Sequence, residues 1–526
     1  MKKNQILTVI LSGAFLCFGT FSCTNLNEVP QDGFISAAEG GTVNTASFLQ
    51  TAYNGLREFQ NQGQMFALGE MSSDALVGPT RGGDWDDNGA WRQIHNHTWG
   101  KDHVQVRDAW NTLLSNVYNC NQVIFNNGTA SEIAEARFLR AFYYYHIVDL
   151  YGQAPYRIAG EPLKNDPKIW SRSEATNFII SELEAIVGSL PARNGADASK
   201  VNKDAAYFML AKIYLNKAVF TGADAAGPYT FAAADMTKVV ANVDMMTNSL
   251  EADYWKNFEP NNNTSTEIVF SCKNVGGTRE AEIRSRWYMG SHYNQLPGGW
   301  NGFATVAEYY NNYNPNDKRI KNASTYMISN FGNNAGYQVG QMKNGKNRDE
   351  KGRDKDPVTG IAYTNLDAGT LNLQDRNGAP LIFTPALTLI TGGATLESAG
   401  IRGMKYIPDA TNLDKPENDY VLMRYADAML MKAEAILRGG TGTAPNFTGY
   451  FARTGQPAVT LDLTTIYAER GRELWWEGWR RNDMVRFGKF LNQRGLKPYV
   501  SNSKYILYPI PADALLNPNI KQNPGY

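Results

Sequence analysis

Apolar residues recur at three- and four-residue spacings along residues 131–152, SEIAEARFLRAFYYYHIVDLYG, where Ile133, Ala136, Ala141, Tyr144 and Tyr145 share the repeat with Arg137 at its edge. The segment ends at Gly152 with Pro155 behind it, which predicts a helix stopping there. A second helix is predicted over 201–220, with Asn202 as N-cap, Ala206, Leu210, Ile213 and Ala218 near one face, and Gly222 beyond its end. Residues 420–440, YVLMRYADAMLMKAEAILRGG, set Leu422, Ala426, Leu430, Ala433 and Leu437 on one stripe, and residues 462–488 read as one long, charge-dense helix. Small alanines alternate with large aromatics in these segments, the pattern by which antiparallel helix pairs approach closely and stack. The predicted class is mainly α, a superhelix of tetratricopeptide-like pairs.

The period is lost between about Gly276 and Asn418. Glycine, asparagine and aromatics rise there, and KNGKNRDEKGRDKD at 343–356 reads as a solvated run. Long irregular stretches inside a folded chain are usually functional, so this is the expected ligand-binding lobe. The chain has 526 residues, 43% hydrophobic, enough for a sizeable core. Its 51 basic residues equal its 51 acidic ones, which removes the basic footprint of a nucleic-acid partner. The first residues pair Lys2 and Lys3 with an apolar run from Ile6 to Phe18, a signal peptide too short to span a bilayer. Cys23 after GTFS, followed by a polar stretch, resembles a bacterial lipoprotein processing site, which makes Cys23 the expected lipid attachment point. The expected divisions are 1–22 signal peptide, 23–260 N-terminal helical region and 261–526 C-terminal region. Cys120 and Cys272 permit at most one disulfide and supply no zinc set.

Several constellations invite a chemical reading. Asp427 and Glu434 lie two turns apart on a predicted helix, and Glu469, Glu473 and Glu477 follow one another at i, i+4. Paired carboxylates could be a glycosidase acid and nucleophile. Arg470, Arg472, Arg480, Arg481 and Arg486 stand ready to neutralise them, so an ion network is expected and catalysis is not. His95, His97 and His103 have no metal-ligand spacing. DWDDNG at 84–89 matches the first half of a calcium loop, with Asp84, Asp86 and Asn88 as candidate ligands, but His95 stands where a bidentate glutamate belongs. No other cofactor is expected.

Aromatics in polar loops carry more. Trp85, Trp91 and Trp99 sit among Asp, Asn, Gly and His, while Trp287, Tyr288, Tyr293 and Trp300 lie in SRWYMGSHYNQLPGGWNG. Sugar rings present flat C–H faces edged with hydroxyls, and a glycan site needs flat rings beside amides and carboxylates. Trp300 lies between glycines, which marks it as an exposed platform that a long ligand can approach closely.

Five blocks occur in order: AEARFLRAFYYYHIVDLYGQAPY at 134–156, GMKY at 403–406, RYADAMLMKAEA at 424–435, ERGRELWWEGWRRNDMVRFGKF at 469–490 and LYPIPADALLNPNIKQNPGY at 507–526. Through them the chain resembles the SusD/RagB family of outer-membrane lipoproteins. The resemblance implies a lipid-anchored, surface-exposed binding protein, not an enzyme, that caps a SusC-like TonB-dependent transporter and hands it oligosaccharide. A RagB-like capture of peptides is the alternative it allows. Carried over to this chain, the sugar-holding arc would fall on Trp85 or Trp99 from the early loop and on Tyr293 and Trp300 from the later one, with Trp287 and Asn301 beside them. Asp74 and Arg81 are the nearest polar candidates.

Overall fold

The structure, a computed structural model, describes residues 43–158, 161–162, 164–278, 282–388 and 396–526; the leader and Cys23 lie outside the described residues. Its longer helices are α1 (Thr45–Gly55), α2 (Val104–Phe125), α3 (Ala130–Tyr151), α4 (Arg172–Ile186), α5 (Lys203–Thr221), α6 (Ala233–Asp244), α7 (Tyr425–Leu437), α8 (Leu463–Glu473) and α9 (Arg480–Arg486). Their ends are fixed locally. The Thr129 side chain accepts the Glu132 N–H while Glu132 accepts that of Thr129, a capping box that opens α3, and Gly152 closes it at φ 72°. Ser171 and Glu174 open α4 the same way, and Asn202 accepts the Ala205 N–H at the start of α5.

Each helix in this series packs on the one before it, which gives the mainly helical stack that the alternation of small and large residues predicts. Helix α3 lies against α1, α2 and α4 and is buried nearly all round beyond its first turn. Its tyrosines place their polar tips on backbone carbonyls: Tyr143 donates to Ala52 at 2.6 Å, Tyr144 to Pro155 at 3.0 Å and Tyr151 to Val106 at 2.6 Å. Residues Thr45–Tyr526 form one compact unit. Among the described residues no helix is long and apolar enough to cross a membrane.

Two helical expectations need correction. Residues Tyr420–Arg424 form strand β9, antiparallel to β3 (Ile268–Cys272), and helix α7 begins only at Tyr425. All five residues of each strand are buried, so the apolar run mimicked one more helical turn. The long helix expected over 462–488 is broken after Glu473. Trp476 at φ 58° and Gly478 at φ 88° turn the chain, and the turn carries Trp475 and Trp476 into the core, with Gly403 making room under the Trp476 ring.

The expected ion network is present, with different partners. Glu473 accepts from Arg424 at 2.6 Å, Arg453 at 2.5 Å and Arg319 at 2.9 Å. Glu477 pairs with Arg424 at 2.8 Å and Lys405 at 2.9 Å, and Glu469 with Arg319 at 2.5 Å and Arg472 at 2.6 Å. Of the arginines within the segment, only Arg472 meets these glutamates. Arg470 and Arg486 share Asp483, Arg470 also reaches Asp427 and Arg486 reaches Glu434, while Arg481 holds Asp149. Burial alone would raise the Glu473 carboxyl, but the Arg453, Arg424 and Arg319 charges hold it far below the usual range.

The remaining strands are short. β1 (Gln153–Tyr156) and β2 (Lys168–Ser171) form a hairpin between α3 and α4. Strands β4 (Lys321–Asn322), β5 (Ala335–Gln338) and β8 (Arg402–Met404) form a three-stranded sheet, and β6 (Gly340–Gln341) pairs with β7 (Ile382–Phe383). The run 343–356 is not wholly solvated. Asn344 is buried, donating to the carbonyls of Arg348 at 2.9 Å and Asp367 at 3.0 Å, and Asp349 is buried against Arg353 at 2.6 Å. These two side chains satisfy the turns from inside, as buried loop backbone requires.

Candidate functional site

The early and late aromatic loops meet. A two-way backbone bridge between Arg81 and Asp84, at 2.8 and 3.1 Å, turns the early loop, and Trp85 follows at φ 62°. The Trp85 indole N–H donates to the Trp300 carbonyl at 2.7 Å. Its ring lies 6.3 Å from Trp300, 5.2 Å from Phe303 and 5.7 Å from Trp91. Gly302 is the seat of that ring, since a Cβ there would stand 2.3 Å from it. Gly299 is pressed against the Tyr288 and Ser291 carbonyls. The glycines around Trp300 therefore serve close packing within the protein, which corrects the reading that they open the backbone to a ligand.

Trp300 itself is 44% exposed, the most open of the tryptophans discussed here. Its backbone N–H donates to Tyr288 at 2.9 Å and its ring meets Tyr288 edge-on at 5.0 Å. Beside this pair stands a polar group. Tyr293 donates its hydroxyl to Asp84 at 2.7 Å, and the Arg376 guanidinium lies 4.5 Å over the Tyr293 ring while reaching Asp84 at 3.3 Å. Arg376 also donates to Glu397 at 3.1 Å, and Glu397 holds His292 at 2.7 Å. Burial, then the bond to Asp84, pushes the Tyr293 hydroxyl up to about 12, and burial lowers His292 to about 4. At neutral pH the Tyr293 phenol is therefore neutral, as is the His292 imidazole buried behind it. Asp84 and Arg376 keep nearly half of their side-chain surface in solvent. Half-exposed indoles flanked by an acceptor and a forked donor can hold a flat, hydroxylated ring.

The other predicted residues lie elsewhere or inside. Trp99 is buried against Tyr505 and Tyr508 and donates to the Tyr526 hydroxyl at 2.8 Å, so it anchors the C-terminal segment. Trp287 is buried in the core. Arg81 is buried with Nε on the Gly302 carbonyl at 3.0 Å and Nη1 on Ala399 at 2.9 Å, pinning the two loops together. Asn301, at φ 52°, is buried and donates to the Glu397 carbonyl at 2.9 Å. Asp74 is held by Arg480 at 2.7 Å. Arg376 went unnoticed in the sequence because it sits in an ordinary polar loop, and only the fold brings it over Tyr293.

The calcium reading is corrected. Asp84 faces Tyr293 and Arg376, Asp86 pairs with Arg92 at 2.9 Å, and Asn88 turns the backbone at φ 53°. The carboxylates diverge onto separate cations, and among the described residues no group of His, Cys, Asp or Glu is placed to hold a metal ion. His95, His97 and His103 are buried on the Leu76, Ser72 and Ala90 carbonyls.

Residues 31–215 match a protein family described as SusD-like, starch-binding associating with outer membrane. The starch-binding protein SusD of Bacteroides thetaiotaomicron is 26% identical over 487 residues, covering 84% of this chain and 82% of that protein. Among solved structures, a SusD superfamily protein from Parabacteroides distasonis superposes with a TM-score of 0.66 at 19% identity, over 94% of this chain and 100% of that one. Surface glycan-binding protein A from Bacteroides thetaiotaomicron, solved with laminarihexaose, superposes with a TM-score of 0.61 at 18% identity, over 91% and 98%. The helical stack with its loop-rich lobe is therefore the SusD-like architecture. Over residues 31–215 the chain is similar to the SusD-like family, and over most of its length to SusD itself.

Proposed function

We propose that this protein is a cell-surface glycan-binding lipoprotein, anchored in the outer membrane through Cys23, that captures oligosaccharide and delivers it to a SusC-like TonB-dependent transporter. The observation that carries the reading is the convergence of Trp85 and Trp300, 215 residues apart, beside half-exposed Asp84 and Arg376. The two indoles are tilted at 52° to one another, so they offer two ring surfaces at an angle rather than one flat platform. Relatives named for starch binding, and a fold-level neighbour holding laminarihexaose, support a glycan as the ligand. No reaction is assigned: the buried carboxylates of α7 and α8 are each matched by arginine or lysine, so none is placed as a general acid.

A screen of the mature protein against neutral glycans, acidic glycans and peptides tests the reading. Binding of a glycan that is lost in Trp85→Ala is expected. Binding of peptides alone would replace it with peptide capture. Co-purification with a transporter encoded beside it tests the delivery step.

A further inference from the structure

Two buried arginines beneath the aromatic patch are left short of acceptors. Arg81, 2% exposed, reaches the segment 396–399 from the early loop: its Nη1 donates to the Leu396 carbonyl and, at 2.9 Å, to the Ala399 carbonyl. Arg402, fully buried on β8, donates through Nη2 to the Glu397 carbonyl of the same segment at 2.8 Å. Both guanidiniums therefore converge on one short stretch of backbone. Arg81 Nη2, Arg402 Nε and Arg402 Nη1 are buried without a hydrogen-bond partner. The Asn301 amide also donates to the Glu397 carbonyl, yet its Oδ1 accepts from neither arginine. A guanidinium has five N–H donors, no acceptor, and stays charged inside a protein, so each unmet buried donor costs free energy.

Charge is out of balance at the same place. Among the described residues neither Arg81 nor Arg402 forms an ion pair. Glu397 attracts both through space, but its carboxylate is bonded to His292 at 2.7 Å and to Arg376 at 3.1 Å. Tyr293 also acts on both and is a neutral phenol at neutral pH. Arg376 reaches Asp84 as well, so the three guanidiniums of Arg81, Arg376 and Arg402 face the two carboxylates of Asp84 and Glu397. Arg402 lies 4.7 Å over the Phe383 ring, which offers its face to a cation but no net charge. Burial, then the Arg81 charge, push Arg402 well below the ordinary arginine value, so the two cations are close enough to repel. We infer that a small monovalent anion of chloride size bridges Arg81 and Arg402, accepting their unmet N–H groups and supplying the countercharge. Water would meet the donors and leave the charge. The site is sealed beneath the Trp85–Trp300 patch, ties the early loop to β8, and does not depend on what the patch binds.

Thermal unfolding of the mature protein in sodium chloride and in sodium gluconate at equal ionic strength tests this, because gluconate is too large for a sealed gap between two side chains. The midpoint should be higher in chloride and should rise by roughly 1–2 °C for each tenfold increase in chloride above the dissociation constant. In Arg402→Met, which removes one of the two cations, the chloride and gluconate midpoints should coincide, while Trp300→Ala should keep the wild-type difference. Crystals of wild-type protein purified in bromide should show an anomalous peak in contact with both guanidiniums, a readout that needs no variant to fold. Equal midpoints in the two salts for wild type, a chloride effect that persists in Arg402→Met, or bromide crystals without that peak would overturn the inference and leave water as the partner of these groups.

Discussion

Replacing Glu473 by glutamine removes one negative charge from a carboxylate that joins three buried arginines. The side chain is fully buried and accepts from Arg319, Arg424 and Arg453, each of which is also buried. None of the three loses its last partner: Arg319 keeps Asp317 and Glu469, Arg424 keeps Glu267 and Glu477, and Arg453 keeps Glu267. One uncompensated positive charge nonetheless stays in the core. Breaking a buried pair from one side costs about 3–5 kcal/mol, and the remaining partners place this case near the lower end, about 3 kcal/mol. The folded carboxyl ionises far below the ordinary value of 4.5 that holds in the unfolded chain. Its stabilisation is therefore complete above that ordinary value and is lost as pH falls toward the folded one. Urea unfolding at pH 7 should show a lower midpoint with an unchanged slope, and the gap from wild type should narrow below about pH 4.5. Ligand affinity of the folded variant should be normal. A variant of wild-type stability that cannot bind would refute the structural role and move this segment into the site.

Glu70 should behave oppositely: burial pushes its carboxyl up to about 8 while the unfolded group keeps the ordinary 4.5, so its contribution is full at low pH and lost as pH rises toward 8. Glu70→Gln, whose oxygen can still accept the Gly478 N–H, should gain stability over wild type between pH 5 and pH 8, read from unfolding midpoints at the two values. Gly302→Ala should displace the Trp85 ring, lowering the melting temperature and weakening ligand binding together; normal binding would show that the Trp85 position is immaterial. Cys23→Ser should abolish palmitate labelling and release the protein from the membrane fraction, because firm anchoring takes more than one acyl chain and this cysteine would carry them. Labelling equal to wild type would place the lipid elsewhere.

The helical part was legible because its signals are local. Gly152 and Asn202 act at the ends where the sequence puts them, and the stripe of Ala426, Leu430 and Ala433 lies on α7 as read. The misread elements depend on distant partners. Tyr420–Arg424 is a strand because β3 lies beside it, and a five-residue apolar run carries no period that separates a buried strand from a helical turn. The break after Glu473 needs a tryptophan at φ 58°, a conformation no propensity favours, compensated by burial of two indoles. The countercharges failed for a related reason: Arg319, Arg424 and Arg453 come from other segments, and nearness in sequence said nothing of them. At the site, composition found both loops but could not sort them. Trp99 and Trp300 have similar neighbours in sequence, yet one is sealed by the C-terminal segment and the other is open.

The central claim rests on that open ring. Trp300→Ala leaves the Trp85 bond intact, because that bond ends on the Trp300 backbone carbonyl. Truncating a half-exposed indole should cost the fold less than the roughly 3–5 kcal/mol of a fully buried one. Truncating an aromatic stacking platform, by contrast, costs about 1–3 kcal/mol of ligand binding. Calorimetric titration of the folded variant with the glycan found by screening should give an affinity about 5–150-fold weaker than wild type. An unchanged affinity would contradict the account.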